Sequence, residues 1–459
     1  MWIGLLFAIM CLAAFYSLRA GDEVLEQSLD SANKYRILCA QSLVLANYFK
    51  PGLYTMEALL LYFESEFGQP GDSAAKCWVL HAIAVRLALR MGHHRDAKHH
   101  SNISAFHGEM RRRVWHLLTQ IDLILSFQVG LPSMIRTIQS DTAPPHNLFD
   151  HDFSQNSPEL PPARPESEPT PMSYMICKAR LCNAFGMIVD QANSILPPAY
   201  SEVLDLDGRL REAYGLIPPF LLIRPLDQSI TDNPNLIMQR FNIILLFHKS
   251  RCVLHRKYLT KEDSQSQYSY SQTSCIDSAL ELLQCQSIIN EAVQSGGPLS
   301  SDRWFLTTIA THDFLLGAMI IYLTLISKCD GKAVADQSGG DVDSEISQKI
   351  KLFQQLEASY EIWKSSPKEA RDAKKASGVL KIMLRNAKQR LFPEYQRSLA
   401  APDEPTYSIG QSKFSNSYGN SFALPEYNQV DPVLTGEMED LGNMIYSPDT
   451  LDWVSCCFI

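Results

Sequence analysis

The chain has 459 residues, 46% hydrophobic and 20% charged, with a formal net charge of −9. That composition can bury a large core and argues against a disordered chain over most of its length. The acidic balance argues against a general affinity for nucleic-acid backbone, which needs clustered Lys and Arg; eleven scattered cysteines fit reduced intracellular thiols better than a secreted disulfide framework.

Met1 to Leu18 contain no charge and have the outward look of a signal peptide or membrane span. A signal peptide wants a basic start, whereas Arg19 follows the apolar run; a span wants about twenty apolar residues, and Gly4 and Ser17 interrupt. The expectation is a buried helix and no membrane partner. Helices are next expected over Lys34–Asn47, Tyr54–Phe67 and Ala74–Met91, the second opening after a Pro51-Gly52 turn with Thr55 near its start. Ala74–Met91 places Leu80, Ala84, Leu87 and Met91 on one face and stops at Gly92, a glycine cap.

The stretch from Gly92 to Pro132 then joins a helix end, a polar loop and an Arg-rich amphipathic helix. From Met110 the apolar residues fall at Met110, Val114, Leu117, Leu118, Ile121 and Leu125, one stripe of a 3.6-residue helix that seeks a core. Arg111, Arg112 and Arg113 spread over its flank and outer face, with Glu109 and Asp96 as candidate partners, so a structural role is preferred to a phosphate-contacting patch. His93, His94, His99, His100, His107 and His116 crowd the same region. The adjacent pairs lack the i, i+4 placement that aims two imidazoles at one ion, and no cysteine completes a site, so no metal is expected there.

From residue 154 to 173 the chain turns to Pro, Ser and Glu, a composition read as a surface linker between an N-terminal helical half, 1–153, and a C-terminal half, 174–391. In that second half, helices are expected over Met172–Ile195, Tyr200–Tyr214, Ile237–Leu259, Cys275–Gln294, Ser344–Lys364 and Pro367–Leu391. Ile237–Leu259 is apolar all round, and Trp304–Ile326 reads as core because His312 and Asp313 leave too short a run to span. Lys328–Asp343 reads as a loop and 392–459 as a largely disordered tail, with Leu451-Asp452-Trp453 the part that docks. With no period-two alternation, the fold class is all-α: a multi-helix bundle-like domain with a Pro-rich linker.

Chemical motifs are few. There is no G-x-S-x-G, P-loop, G-x-G-x-x-G after a strand, or H-E-x-x-H, and neighbours on a helix such as His312 and Asp313 point about 100° apart, so an enzyme is not expected. Cys177 and Cys182 make no zinc site, and the terminal Cys456-Cys457-Phe458-Ile459 is a weak prenylation match without a polybasic approach.

The pieces Gly92-His93-His94-Arg95-Asp96, Glu109-x-Arg111-Arg112-Arg113-x-Trp115, Asp122 and Gly130-Leu131-Pro132 resemble the signature of the fungal-specific transcription factor domain, the regulatory region of binuclear zinc-cluster regulators. The opening WIGLLFAIMCLAAFYSLRAGDE, Leu254-His255-Arg256 and Trp304 with His312-Asp313-Phe314 extend the likeness to about residue 330. The resemblance implies a transcription regulator of a metabolic or biosynthetic gene set, acting in the nucleus, with frequent homodimerisation and a small-molecule effector or transcription machinery as partners. It gives His94, Arg95 and Asp96 a structural role. Family members bind DNA through a six-cysteine zinc cluster; no such run occurs here, so zinc and DNA contact are expected only from a missing or separate N-terminal module, and no cofactor in this chain. The start at Met1 inside an apparent core helix carries the same expectation of a truncated gene. A DNA-free scaffold resembling a corepressor is the alternative, and a membrane-anchored protein the weaker one.

Overall fold

The structure, a computed structural model, describes residues 1–19, 25–67, 73–196, 198–259, 266–302, 311–327, 341–366 and 371–391. Among them are twelve α-helices and no strand: α1 (Trp2–Arg19), α2 (Leu25–Leu45), α3 (Thr55–Phe67), α4 (Ser73–Arg90), α5 (Ala105–Gln128), α6 (Ser173–Ala192), α7 (Tyr200–Gly215), α8 (Pro234–His255), α9 (Ser269–Ala292), α10 (Thr311–Ser327), α11 (Asp341–Lys364) and α12 (Arg371–Leu391). The all-α expectation stands. Expectations for Trp304, for 328–340 of the loop, for 392–459 and for the terminal cysteines lie outside the described residues.

Several helices begin earlier than the apolar pattern suggests, among them α9 at Ser269 and α11 at Asp341, inside the expected loop Lys328–Asp343. α5 starts at Ala105 because Ser104 caps it, its hydroxyl accepting from His107 N at 3.3 Å. α2 starts at Leu25, since 25–33 contain no Gly or Pro to stop propagation.

Two cores result. The first joins α1 to α5 around Leu59, Val85, Ala88, Trp115 and Leu118. Gly4 lies against Ser42 and Leu43 while Phe7 stacks on Tyr35, so α1 and α2 run antiparallel. Buried Gly4, Ala8 and Cys11 let the two backbones approach, but Trp2, Ile3 and Ile9 remain 59%, 55% and 49% exposed. The buried opening helix expected from hydropathy is thus corrected: among its described side chains only Gly4, Ala8 and Cys11 are buried. No described helix is long and apolar enough to cross a membrane.

The second, larger core gathers α6 to α12 around α8, which is buried on nearly every side through Phe241, Ile243, Leu245, Val253 and Leu254. The halves meet where α5 crosses α6. There Phe127 packs edge-on to Phe185 with ring centroids 5.0 Å apart, and Lys249 Nζ of α8 sits 5.8 Å and 5.7 Å from the two rings. Gln120 Nε2 adds a hydrogen bond to Met175 O at 3.1 Å.

Phe185→Ala should lower stability by about 3–5 kcal/mol through the cavity left at this junction, read as a lower midpoint in denaturant unfolding followed by circular dichroism; a loss below about 1 kcal/mol would contradict the packing described.

Candidate functional site

Part of the Gly92–Pro132 signature, from Gly92 to Asp96 and Glu109 to Arg113, folds into a connected polar corner. α4 ends with Gly92 at φ +73, where a Cβ is strained, and the chain turns so that His93 N returns to Ala88 O at 2.9 Å. Arg111 Nη2 donates to Met91 O at 2.7 Å, capping the helix end with positive charge.

Asp96 is the centre. Fully buried, it accepts from Arg112 in a bidentate pair, Nε to Oδ2 at 2.9 Å and Nη2 to Oδ1 at 2.8 Å, and from the backbone N–H groups of Lys98 and Ala143 at 3.0 and 2.9 Å. The Arg112 hydrogen bonds, outweighing burial, hold its carboxyl well below the usual range. Glu109, also fully buried, accepts from Arg113 Nε at 3.2 Å and from His146 N at 3.1 Å, with His146 Nδ1 2.9 Å from its second oxygen. Burial alone would raise Glu109, but these partners lower it. Arg113 continues to Asp150 Oδ1 at 2.7 Å and covers the Phe153 ring at 5.2 Å.

The partners of both carboxylates thus include residues 143–150, on a segment with no long helix. That segment continues as an extended strap over 154–172, and Asn147 fastens it: its Nδ2 donates to Pro165 O and Glu168 O at 3.0 and 3.1 Å, and its Oδ1 accepts from Thr170 and Ser173 hydroxyls at 2.6 and 3.0 Å. Arg164 adds a bidentate pair to Asp152 at 2.9 and 2.8 Å. The Pro-rich segment is therefore pinned at both ends.

The remaining signature residues divide. His94 O accepts from Asp141 N at 3.2 Å, its ring lies 6.1 Å from buried Trp115, and Trp115 joins the first core. Asp122 sits apart, one oxygen accepting from Ser133 Oγ at 2.5 Å and Ile135 N at 3.1 Å, so it fixes the turn after Gly130 and Pro132; burial raises its carboxyl. Arg95 and Pro132 are exposed. The histidines do not converge: His99 pairs with Asp141 at 2.9 Å on the surface, His116 Nε2 lies 3.1 Å from Ala143 O, and burial pushes His93 down to about 4. Among the described residues no three His, Cys, Asp or Glu side chains are placed to hold a metal. Cys177 and Cys182 are separately buried thiols, and Asp313 pairs with Lys249 at 2.9 Å.

A second polar centre contains one residue of a family landmark, His255 of Leu254-His255-Arg256; its acid, Asp207, carried no motif. Buried Asp207 of α7 accepts from Arg211 at 2.9 Å, Arg251 at 3.2 Å and Tyr270 Oη at 2.5 Å, with His255 Nε2 at 3.3 Å. His255 Nδ1 is 2.9 Å from Ser271 Oγ, which also meets Tyr200 Oη at 3.0 Å. This Ser–His–Asp chain is fully buried, and the two arginines and Tyr270 hold it as an α7–α8–α9 clamp. Asp207/Arg211 and Arg251/His255, each four apart, were the available signal.

Residues 3–214 match the profile of the fungal specific transcription factor domain. The chain is 40% identical over 400 residues to the Zn(2)-C6 fungal-type transcription factor pigI of Monascus ruber, covering 87% of this chain and 49% of the relative. It is 36% identical to the equisetin cluster transcription factor eqxF of Fusarium heterosporum, over 83% and 55% of the two chains. Against the transcription factor cghF of Chaetomium globosum it is 30% identical, over 88% and 70%. The chain spans about half the length of the first of these relatives. No solved structure matches it.

Asp96→Asn should cost about 3 kcal/mol or more at neutral pH, because Arg112 loses its bidentate anionic partner and keeps only the longer 3.8 Å approach to Glu109. A lowered carboxyl contributes stability that is present above the unfolded-state value near 3.9 and lost as pH falls below it. The gap between wild type and variant in thermal midpoint should therefore narrow on acidification below about pH 4; a constant gap would refute the ionic origin.

Proposed function

This chain belongs to the fungal specific transcription factor family, and on that premise we propose that it regulates transcription of a metabolic or biosynthetic gene set. The observation that carries the reading is the similarity over 83–88% of the chain to transcription factors, one of them named for a metabolite cluster. Target choice then belongs to a zinc-cluster module, missing or separate, which holds the zinc, contacts DNA and acts in the nucleus. The described helices supply the regulatory part, the signature residues Gly92, His94, Asp96, Glu109, Arg111–Arg113 and Trp115 keep its corner rigid, and Asp122 holds the turn after Gly130.

Regulation is assigned to an effector in the cleft between the halves. About 490 Å³ is enclosed there by α3, α5, α6 and α8, with Phe67, Ile121, Met238 and Leu246 as apolar walls and the Lys249–Asp313 pair alongside. A ligand that favours one packing of α5 against α8 shifts the population between two arrangements. A DNA-free scaffold is the second reading, favoured by the net charge of −9.

Deleting the gene should change transcripts of a contiguous biosynthetic gene set several-fold, with restoration by the wild-type gene; unchanged transcripts genome-wide would refute the regulatory reading. Mapping the transcript upstream of the Met1 codon should show an in-frame six-cysteine run, and a transcript without one supports the scaffold instead. Met238→Trp should fill the cleft at a stability cost of about 1–3 kcal/mol and leave the gene set expressed but unresponsive to growth conditions.

A further inference from the structure

We propose that a second cleft, beneath the strap, is a binding site for a small organic carboxylate, with Arg136 as its receptor. The cleft encloses about 610 Å³, within the usual range of about 300–1,000 Å³ for small-molecule sites. α5, the turn after Asp122, the strap and α6 all contribute to its wall.

Three guanidinium groups line it, Arg136, Arg164 and Arg180, against a single lining carboxylate, Glu166. Two are committed: Arg164 to Asp152 and Glu168, Arg180 to Glu166. Arg136 differs. Only its Nε is engaged, donating to Asp190 Oδ2 at 2.7 Å, a pair whose acid is half exposed and therefore weak. Both Nη groups, the planar fork that suits a carboxylate, have no acceptor among the described residues.

The fork is placed there by a missing side chain. Arg136 lies flat on α6 at Gly186, where a Cβ would stand 2.2 Å from Nη1 and 2.7 Å from Cζ. Any larger residue at 186 displaces the guanidinium. Asp122 fixes the other side, since its bonds to Ser133 Oγ and Ile135 N set the turn that presents Arg136. Leu123, Ile135, Ile176 and Pro145 add apolar wall, so the favoured ligand has a hydrocarbon body as well as an anionic group, which separates it from inorganic phosphate.

Titration calorimetry on the full chain with benzoate, succinate and inorganic phosphate tests this, with folding checked by circular dichroism. Wild type should bind benzoate or succinate; Arg136→Gln should weaken binding at least tenfold. Asp190→Asn, which removes the competing carboxylate and keeps the guanidinium, should bind as tightly or more tightly. Equal binding by wild type and Arg136→Gln, binding of phosphate alone, or no binding of any probe would overturn the assignment. Should Arg136→Gln fail to fold, Gly186→Ala decides in its place: retained affinity would overturn the proposal and loss would support it. No transcriptional readout enters, so failure here leaves the regulatory reading standing.

Discussion

Two carboxylates without access to water, Asp96 and Glu109, set the terms for the N-terminal half. A buried ion is costly unless hydrogen bonds and an opposite charge replace its hydration. Asp96 obtains both from Arg112 and two backbone N–H groups, and Glu109 from Arg113 and the His146 backbone. Because the donors lie on α5, on the loop after Gly92 and on 143–150, satisfying the acids fixes the relative positions of three segments at once. Glu109 is shared, since Arg113 Nε pairs with it at 3.2 Å and Arg112 Nη1 approaches it at 3.8 Å while its other nitrogens hold Asp96.

From that corner outward, rigidity is passed on by neighbours. Trp115 carries it into the first core, and the strap carries it to α6 through Asn147 and Arg164. The aromatic junction of Phe127 and Phe185 couples α5 to the second core, where Asp207 ties α7, α8 and α9. Both clefts border α5 and α6.

Much of this was legible in the residues. The apolar stripe from Met110 to Leu125 and the glycine after Met91 placed α5 and the end of α4, and the candidate partners of the arginines are the ones observed, Arg112 with Asp96 and Arg113 with Glu109. The strap's anchorage was not legible, because composition reports the lack of a core and says nothing of an asparagine that bonds backbone carbonyls some twenty residues away. His146 was passed over for the same reason: its partner Glu109 is 37 residues distant, and no periodic pattern links them. The Asp207 clamp joins residues more than sixty positions apart. α1 misled through hydropathy alone, since a chargeless helix can present small residues inward and leave Trp2 and Ile9 outside.

The sequence distance spanned by the Glu109–His146 contact also orders events during synthesis. A ribosome delivers α4 and α5 before residues 143–150, so Asp96 first has Arg112 and the Lys98 backbone, and Glu109 its arginines. Closure waits for Ala143 and His146, and the strap is locked only when Thr170 and Ser173 reach Asn147. Until then the remaining lone pairs of both acids are left to water. Any fragment ending near residue 130 inherits that unfinished corner.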